Sequence, residues 1–170
     1  MSKTAVIFGS SRSEGNTASL AHYIGQQLIA PVFAVGEVSI APYHYEHIYP
    51  AEDGYYALME QLVKYDRWIM LTPVYWYTMS AQLKLFWDRK SDLLRVRKDL
   101  GGKLSGTKLW VICCSSDASE YDHFFTPFRL SAAYLNMDYQ NDLHLWGGRV
   151  VALMPEVKMR LDAWLEKEFS

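Results

Sequence analysis

The sequence predicts an α/β fold: a three-layer sandwich in which helices cover both faces of a five-stranded parallel sheet. Apolar runs alternate five times with segments of helical periodicity along the 170 residues. The strongest runs, such as Trp68–Leu71, are apolar throughout, which is typical of parallel strands that are buried on both faces and joined by crossover helices. We expect the strand order 2-1-3-4-5 in a single domain that spans residues 1–170.

The first two strand–helix units set the pattern for the rest. A strand is predicted over Thr4–Phe8, followed by a helix over Thr17–Ile29 with Asn16 as its N-cap. Apolar residues alternate over Val32–Ile40 and predict the second strand. The same criteria predict the remaining elements at Gly54–Tyr65, Arg67–Thr72, Ser80–Leu94, Lys108–Cys114, Asp122–Leu135, Asp138–Leu145 and Pro155–Phe169.

Core positions follow from the helical spacing of apolar residues. The basic, glycine-containing stretch Arg95–Gly106 is predicted to be exposed, and Val150–Leu153 is a further apolar segment after the Gly147-Gly148 turn. The residues expected to face the core from the two clearest helices are Leu83, Phe86, Trp87 and Leu94, and Val157, Leu161, Trp164 and Leu165.

Composition narrows the function. A net charge of -2 and a pI of about 6.2 argue against nucleic acid as the main partner, because the phosphate backbone favours a strongly basic face. The N-terminus lacks a signal peptide, and no apolar run approaches the roughly 18 residues of a membrane span, so we expect a cytoplasmic protein without a membrane span. Cys113 and Cys114 are predicted to be small hydrophobic residues in a buried strand.

Three polar loops, Gly9–Thr17, Pro73–Met79 and Ser115–Glu120, follow the first, third and fourth strands. In the predicted order these strands are neighbours, so the loops line one crevice at the carboxyl edge of the sheet, where open parallel sheets bind ligands. The first loop connects a strand to a helix N-terminus, and that arrangement binds phosphate.

The first loop is neither of the common nucleotide motifs. Gly9 and Gly15 are one residue too far apart for a P-loop, Asn16 stands where its lysine would be, and the Gly-x-Gly-x-x-Gly pattern is absent. Hydroxyl groups without a lysine suit a terminal monophosphate, and Arg12 either adds charge or points to solvent. The hydroxyl donors are Ser10, Ser11, Ser13 and Thr17.

The second loop is rich in aromatic rings. Tyr75, Trp76 and Tyr77 offer faces and edges to a flat heterocycle, although a packed aromatic cluster or a dimer contact would use the same residues. Phosphate and ring together match FMN.

The stretches Gly9–Thr17 and Pro73–Arg89 resemble those of the NADPH-dependent FMN reductase group of flavodoxin-like proteins. The resemblance implies a non-covalent FMN, NAD(P)H as cosubstrate, and a homodimer or homotetramer. It implies no dedicated catalytic side chain. The implied FMN contacts are Ser10, Ser11, Arg12, Asn16 and Thr17 at the phosphate, and Pro73, Val74, Tyr75, Trp76, Ser115 and Ser116 around the ring.

The function that this resemblance implies is hydride transfer from NAD(P)H through FMN to a quinone, flavin or nitroaromatic acceptor. The alternatives are a flavodoxin-like electron carrier without NAD(P)H turnover, and a protein that keeps the fold without binding flavin. Carriers are usually strongly acidic around the flavin, which a net charge of -2 does not favour.

Several polar residues have a simpler interpretation. His44 and His47 lie near the crevice, where either could line the substrate pocket, but they have too few companions for a zinc site. Asp88 and Arg89 are expected to form a structural ion pair, within the helix or across a dimer. The basic residues between Arg95 and Lys108 either hold the 2′-phosphate of NADPH or belong to a solvated loop. The remaining histidines, His22, His123 and His144, are predicted to be ordinary surface or packing residues.

Overall fold

Five parallel strands form one sheet in the order β2-β1-β3-β4-β5, which confirms the predicted order and fold class. The structure is a computed structural model that describes residues 2–119, 122–147 and 154–169. Its strands are β1 (Thr4–Phe8), β2 (Val32–Ala34), β3 (Arg67–Pro73), β4 (Lys108–Ser115) and β5 (Asp138–Trp146).

Helices cover both faces of the sheet and form two separate cores. Successive residues of a strand point to opposite faces, so Trp68 packs in one core and Ile69 in the other. Helices α1 and α7 cover one face, and the others cover the second. The helices are α1 (Asn16–Leu28), α2 (Tyr55–Leu62), α3 (Ala81–Asp88), α4 (Lys90–Arg95), α5 (Lys98–Gly101), α6 (Thr126–Tyr134) and α7 (Pro155–Phe169).

The second strand is shorter than the alternating pattern predicts. It ends at Ala34, and a 3-10 turn over Val35–Glu37 replaces the rest of the predicted strand. Gly36 lies in this turn, where a Cβ atom would stand only 2.8 Å from the carbonyl oxygen of Ser10. The chain therefore leaves the sheet early and passes close to the loop that follows β1.

Two helix boundaries also differ from the prediction. Asn16 is the first residue of α1 rather than its N-cap, which is Gly15. The helix predicted over Ser80–Leu94 is two helices that meet at Arg89, and Leu94 near the end of the second is 41% exposed rather than in the core. The other core positions predicted for the two clearest helices are buried, as expected: Leu83, Phe86, Trp87, Val157, Leu161, Trp164 and Leu165.

Two further segments differ from the predicted elements, and a third lies outside the described residues. The predicted exposed stretch Arg95–Gly106 contains α5 and a 3-10 turn that bury Leu100 and Leu104. The helix predicted from Asp122 begins as a 3-10 turn over Asp122–Phe125. The predicted apolar segment Val150–Leu153 lies outside the described residues, as does the second glycine of the preceding turn.

Cys113 and Cys114 are buried free thiols on β4, as the sequence predicts. Burial raises the pKa of the Cys114 thiol to about 12, so this thiol is protonated at neutral pH. Of the helices within the described ranges, none is long and apolar enough to cross a bilayer.

Candidate functional site

The loop between β1 and α1 presents hydroxyl groups at an uncapped helix N-terminus. Gly15, the N-cap, has an extended backbone, and no side chain caps the helix, so its first N–H groups are oriented toward the loop. Ser11 and Ser13 are exposed and Ser10 is half-buried. Thr17 is different, because its side chain is only 4% exposed and bonds to the Cys114 thiol. Its contribution to an anion site is therefore limited to its backbone N–H.

Ser80 fixes this first loop against α3. Its hydroxyl donates to the carbonyl of Gly9 at 2.8 Å and accepts the N–H of Leu83 at 3.2 Å as the N-cap of α3, while its own N–H donates to Thr72 Oγ1 at 3.0 Å. A Cβ atom at Gly9 would lie 2.7 Å from Leu83 Cβ, so only glycine permits this approach. Sequence reasoning missed Ser80 as a site residue, although a serine before a helix is the usual N-cap signal.

The aromatic loop is a tight hairpin. Tyr75 and Thr78 exchange both backbone hydrogen bonds, at 2.9 and 3.1 Å. Trp76 and Tyr77 form the two-residue turn with φ of 48° and 64°, which is the signature of a type I′ turn. Such turns normally carry Asn and Gly, so two large aromatic residues here hold the backbone in an unfavourable conformation.

Hydrogen bonds join this hairpin to the loops on either side. The Tyr75 hydroxyl lies 2.8 Å from Ser11 Oγ in the first loop. The N–H of Val74 donates to the carbonyl of Cys114 at 2.8 Å, and Pro73 pairs with Cys114 in the sheet. The three predicted loops therefore meet at one edge of the sheet, as the sequence predicts. The amides of Val74, Tyr75 and Thr78 are already occupied, so fewer of the hairpin's N–H groups are available to a ligand than expected.

The third loop contains a hydroxyl–imidazole pair. Ser115 Oγ lies 2.6 Å from His144 Nε2 and donates to the carbonyl of Asp117 at 2.7 Å. A hydroxyl has one proton, so these distances favour the tautomer in which His144 Nε2–H donates to Ser115. Burial lowers the pKa of His144, and the nearby Arg160 lowers it further, which favours the neutral ring. Ser116 beside it is exposed.

The sequence predicts an ordinary surface or packing residue at His144 and does not indicate its contact with Ser115. Nothing in its sequence neighbourhood indicates the pairing, because β4 and β5 are brought together only by the sheet. A pocket between α1 and α7 adjoins the pair and brings together Asn16, Ser115 and Trp146. The aromatic hairpin does not line this pocket.

A buried ionic cluster lies at the junction of α3 and α4. Arg89 donates to Asp53 at 2.8 Å and to Asp92 at 2.6 Å, and Asp92 also contacts Tyr49 and His47 at 2.9 and 2.8 Å. The predicted ion pair of Asp88 with Arg89 does not form within the helix, where each residue has another partner. Asp88 contacts Lys84 on the surface, because one helical position separates the exposed face from the buried one.

His47 therefore has a structural partner, and no group of three or more metal-binding side chains occurs within residues 2–119, 122–147 and 154–169. In the basic stretch, Arg97 contacts Glu60 and Asp99. These contacts are consistent with the solvated-loop interpretation of that stretch.

Comparisons with known proteins identify a family that this chain matches. The model of the NADPH-dependent FMN reductase family matches residues 2–137. The chain is 34% identical over 122 residues to YwqN of Bacillus subtilis (strain 168), whose name describes an NAD(P)H-dependent FMN-containing oxidoreductase; the match covers 68% of this chain and 67% of that protein.

Solved structures share the fold. The Trp repressor binding protein of Bacillus subtilis is 27% identical, with a TM-score of 0.70 over 86% of both chains. General stress protein 14 of Treponema denticola, solved in complex with FMN, is 16% identical, with a TM-score of 0.64 over 97% of this chain and 98% of that one. At that identity the second likeness concerns the fold alone.

Proposed function

This chain belongs to the NADPH-dependent FMN reductase family, and we propose that it passes a hydride from NAD(P)H through FMN to a quinone, flavin or nitroaromatic acceptor. The observation that carries the proposal is the hydrogen bond between Ser11 and Tyr75. It joins the phosphate-type loop to the aromatic hairpin, so a single ligand with a phosphate at one end and a flat ring at the other fits both.

The residues present fit FMN. The first loop offers Ser10, Ser11 and the N–H groups at the start of α1, including those of Asn16 and Thr17, to a terminal phosphate. Arg12 is exposed and close enough in sequence to add positive charge. These are hydroxyl, N–H and guanidinium donors, which is the chemistry that a phosphate monoester requires.

The ring end of FMN would lie against Pro73, Val74, Tyr75 and Trp76, with Ser115 and Ser116 on the third side. Bound FMN supplies the redox chemistry by accepting a hydride and passing it on. The chain binds and orients it: the hairpin fixes one edge, and Ser115, held by His144, presents an oxygen from the third loop. No side chain is needed to take or give the hydride.

The acceptor class, a homodimeric or homotetrameric assembly and a cytoplasmic location belong to the same proposal. The family supports an enzyme over an electron carrier, because its members are NADPH-dependent reductases. The near-neutral net charge also suits small-molecule acceptors better than docking to a basic protein partner.

The test is a binding experiment with two flavins. Ser11→Asp places a carboxylate in the phosphate loop, so we expect FMN affinity to fall at least ~10-fold, since like charges repel at short range. Riboflavin lacks the phosphate and should bind equally to both proteins. Fluorescence quenching of each flavin measures both affinities, and NADPH added without oxygen should bleach bound FMN.

The matched control is Ser105→Asp, an exposed serine near the opposite edge of the sheet, which should leave FMN affinity unchanged. A protein that binds no FMN, or FMN that NAD(P)H does not bleach, contradicts the proposal. If Ser11→Asp lowered the affinities for FMN and riboflavin equally, the FMN phosphate would not bind in the first loop.

A further inference from the structure

The turn at the tip of the aromatic hairpin is energetically unfavourable for its residues. Trp76 and Tyr77 both have a left-handed backbone, in which any Cβ crowds the neighbouring carbonyl. Asn-Gly would form the same turn with less strain, because glycine has no Cβ and asparagine tolerates the left-handed region. The indole of Trp76 is 92% exposed, so burial of the ring does not compensate for the unfavourable backbone. Strain at an exposed position indicates a function for the side chain.

The hairpin holds this indole in a defined place. Its two strands are closed by paired hydrogen bonds between Tyr75 and Thr78. Tyr75 is bonded to Ser11 on one side, and the ring of Tyr77 lies 6.5 Å from that of His123 on the other. Trp76 therefore stands between the first loop and the segment that follows the third loop, on a tip anchored at both flanks.

We propose that Trp76 determines acceptor specificity by stacking on a planar, electron-poor acceptor ring. The inference rests on the proposed function, since the acceptor must reach the flavin beside this hairpin. An electron-rich indole favours a quinone ring over a compact, non-planar oxidant. A small ring offers little besides its faces for recognition, whereas NAD(P)H also carries ribose and phosphate groups that bind elsewhere.

The redox balance is that of the proposed reaction. A quinone that receives a hydride and one proton from solvent leaves as the hydroquinone, and the flavin returns to its oxidised form. The Trp76 ring takes no electrons and no protons; it orients the acceptor.

The first test compares two oxidants of the chemically reduced FMN-loaded protein by stopped flow. In protein saturated with FMN, Trp76→Ala should slow reoxidation by menadione about 5–10-fold more than it slows reoxidation by ferricyanide, which is the loss of one aromatic stacking contact. Trp76→Phe should retain most of the menadione rate. Equal effects on both oxidants, or no effect on either, would overturn the proposal.

The same protein separates this proposal from the proposed function. If FMN does not bind, or NAD(P)H does not bleach it, the proposed function fails before Trp76 is tested. If FMN binds and NAD(P)H bleaches it, but Trp76→Ala does not slow reoxidation by menadione more than reoxidation by ferricyanide, only the specificity proposal fails. A shift in oligomeric state of Trp76→Ala in sedimentation would also overturn it, since the indole would then be a subunit contact.

The second test needs no flavin. Trp76→Gly should melt about 2–4 °C above Trp76→Ala, because glycine has no Cβ to crowd the carbonyl in the left-handed backbone, whereas alanine has one. The control is Ile29, 94% exposed with φ of 50° at the end of α1: Ile29→Gly should likewise melt above Ile29→Ala and leave menadione reoxidation unchanged. If Trp76→Gly melts below Trp76→Ala while the two Ile29 variants behave as expected, the turn is not strained, and strain gives no reason to assign a function to Trp76.

Discussion

Two buried basic side chains lie next to each other where α3 meets α4, and burial affects their charge in opposite ways. Arg89 is fully buried, but its guanidinium bonds Asp53 and Asp92 and stacks 3.4 Å from the centre of the Tyr49 ring. Lys90 is 5% exposed and its Nζ lies 3.6 Å from the centre of the Phe86 ring.

The partners decide the charge of each group. Burial disfavours the charged form of both, but the two carboxylates outweigh it for Arg89 and raise its pKa. For Lys90, burial alone lowers the pKa well below its usual value, and its amine donates to the Met59 sulfur at 3.3 Å. A buried cation is thus stabilising only with its anions. Arg89 also connects the long loop ending at Asp53 to the helices that follow the aromatic hairpin.

The largest effect should come from breaking the Arg89 cluster. Asp92→Ala leaves the buried Nε of Arg89 without its carboxylate and removes an acceptor from the Tyr49 hydroxyl, so we expect a loss of about 3–5 kcal/mol in the free energy of unfolding. Urea denaturation measures it. Asp88→Ala, on the exposed face of α3, is the matched control and should change stability by less than about 0.5 kcal/mol. If Asp92→Ala and Asp88→Ala lowered the stability equally, the buried ion pair would contribute no more than the exposed one.

Replacing Lys90 should increase the free energy of unfolding, whereas breaking the Arg89 cluster lowers it. Lys90→Met keeps the length of the side chain and removes the buried amine, so we expect a gain on the order of 1–4 kcal/mol at pH 7. Denaturation of both proteins at pH 7 measures the gain. A destabilised Lys90→Met variant would mean that the amine makes a favourable cation–π contact with the surrounding rings.

The advantage of Lys90→Met should shrink as pH rises. Between the lowered folded pKa of Lys90 and its ordinary value of 10.5, the unfolded chain binds a proton that the folded chain does not. The natural protein therefore gains up to about 1.4 kcal/mol per pH unit in this window. Unfolding curves at pH 7 and 9.5 test the sign, and a gap that does not change with pH would show that the amine is charged when buried.

The smallest effect is expected at an exposed pair on α3. Lys84 and Asp88 are half-exposed and 2.5 Å apart, so Lys84→Ala should cost about 0.3–0.5 kcal/mol, an amount that salt abolishes. Denaturation at low and high salt measures it. A loss above about 1 kcal/mol that persists in high salt would show that the exposed pair behaves like the buried one.

The two helices at this junction also show what periodicity can predict. Leu83, Phe86 and Trp87 are buried as their spacing predicts, but the same pattern continued to Leu94 and missed the break at Arg89. At this break Arg89 pairs with Asp53, which lies 36 residues earlier in the chain. The spacing of apolar residues within one segment cannot indicate an ion-pair partner that lies elsewhere in the chain.

The sequence by itself determined the strand order and the three loops that share one edge, because burial and loop chemistry are encoded locally. It also determined the family resemblance, which rests on contiguous stretches. Only the tertiary structure decided that Thr17 faces inward, that Ser115 pairs with His144, and that Trp76 sits in a left-handed turn. The first two depend on residues that only the packed sheet brings together, and the third depends on backbone angles that the residue types Trp and Tyr do not predict.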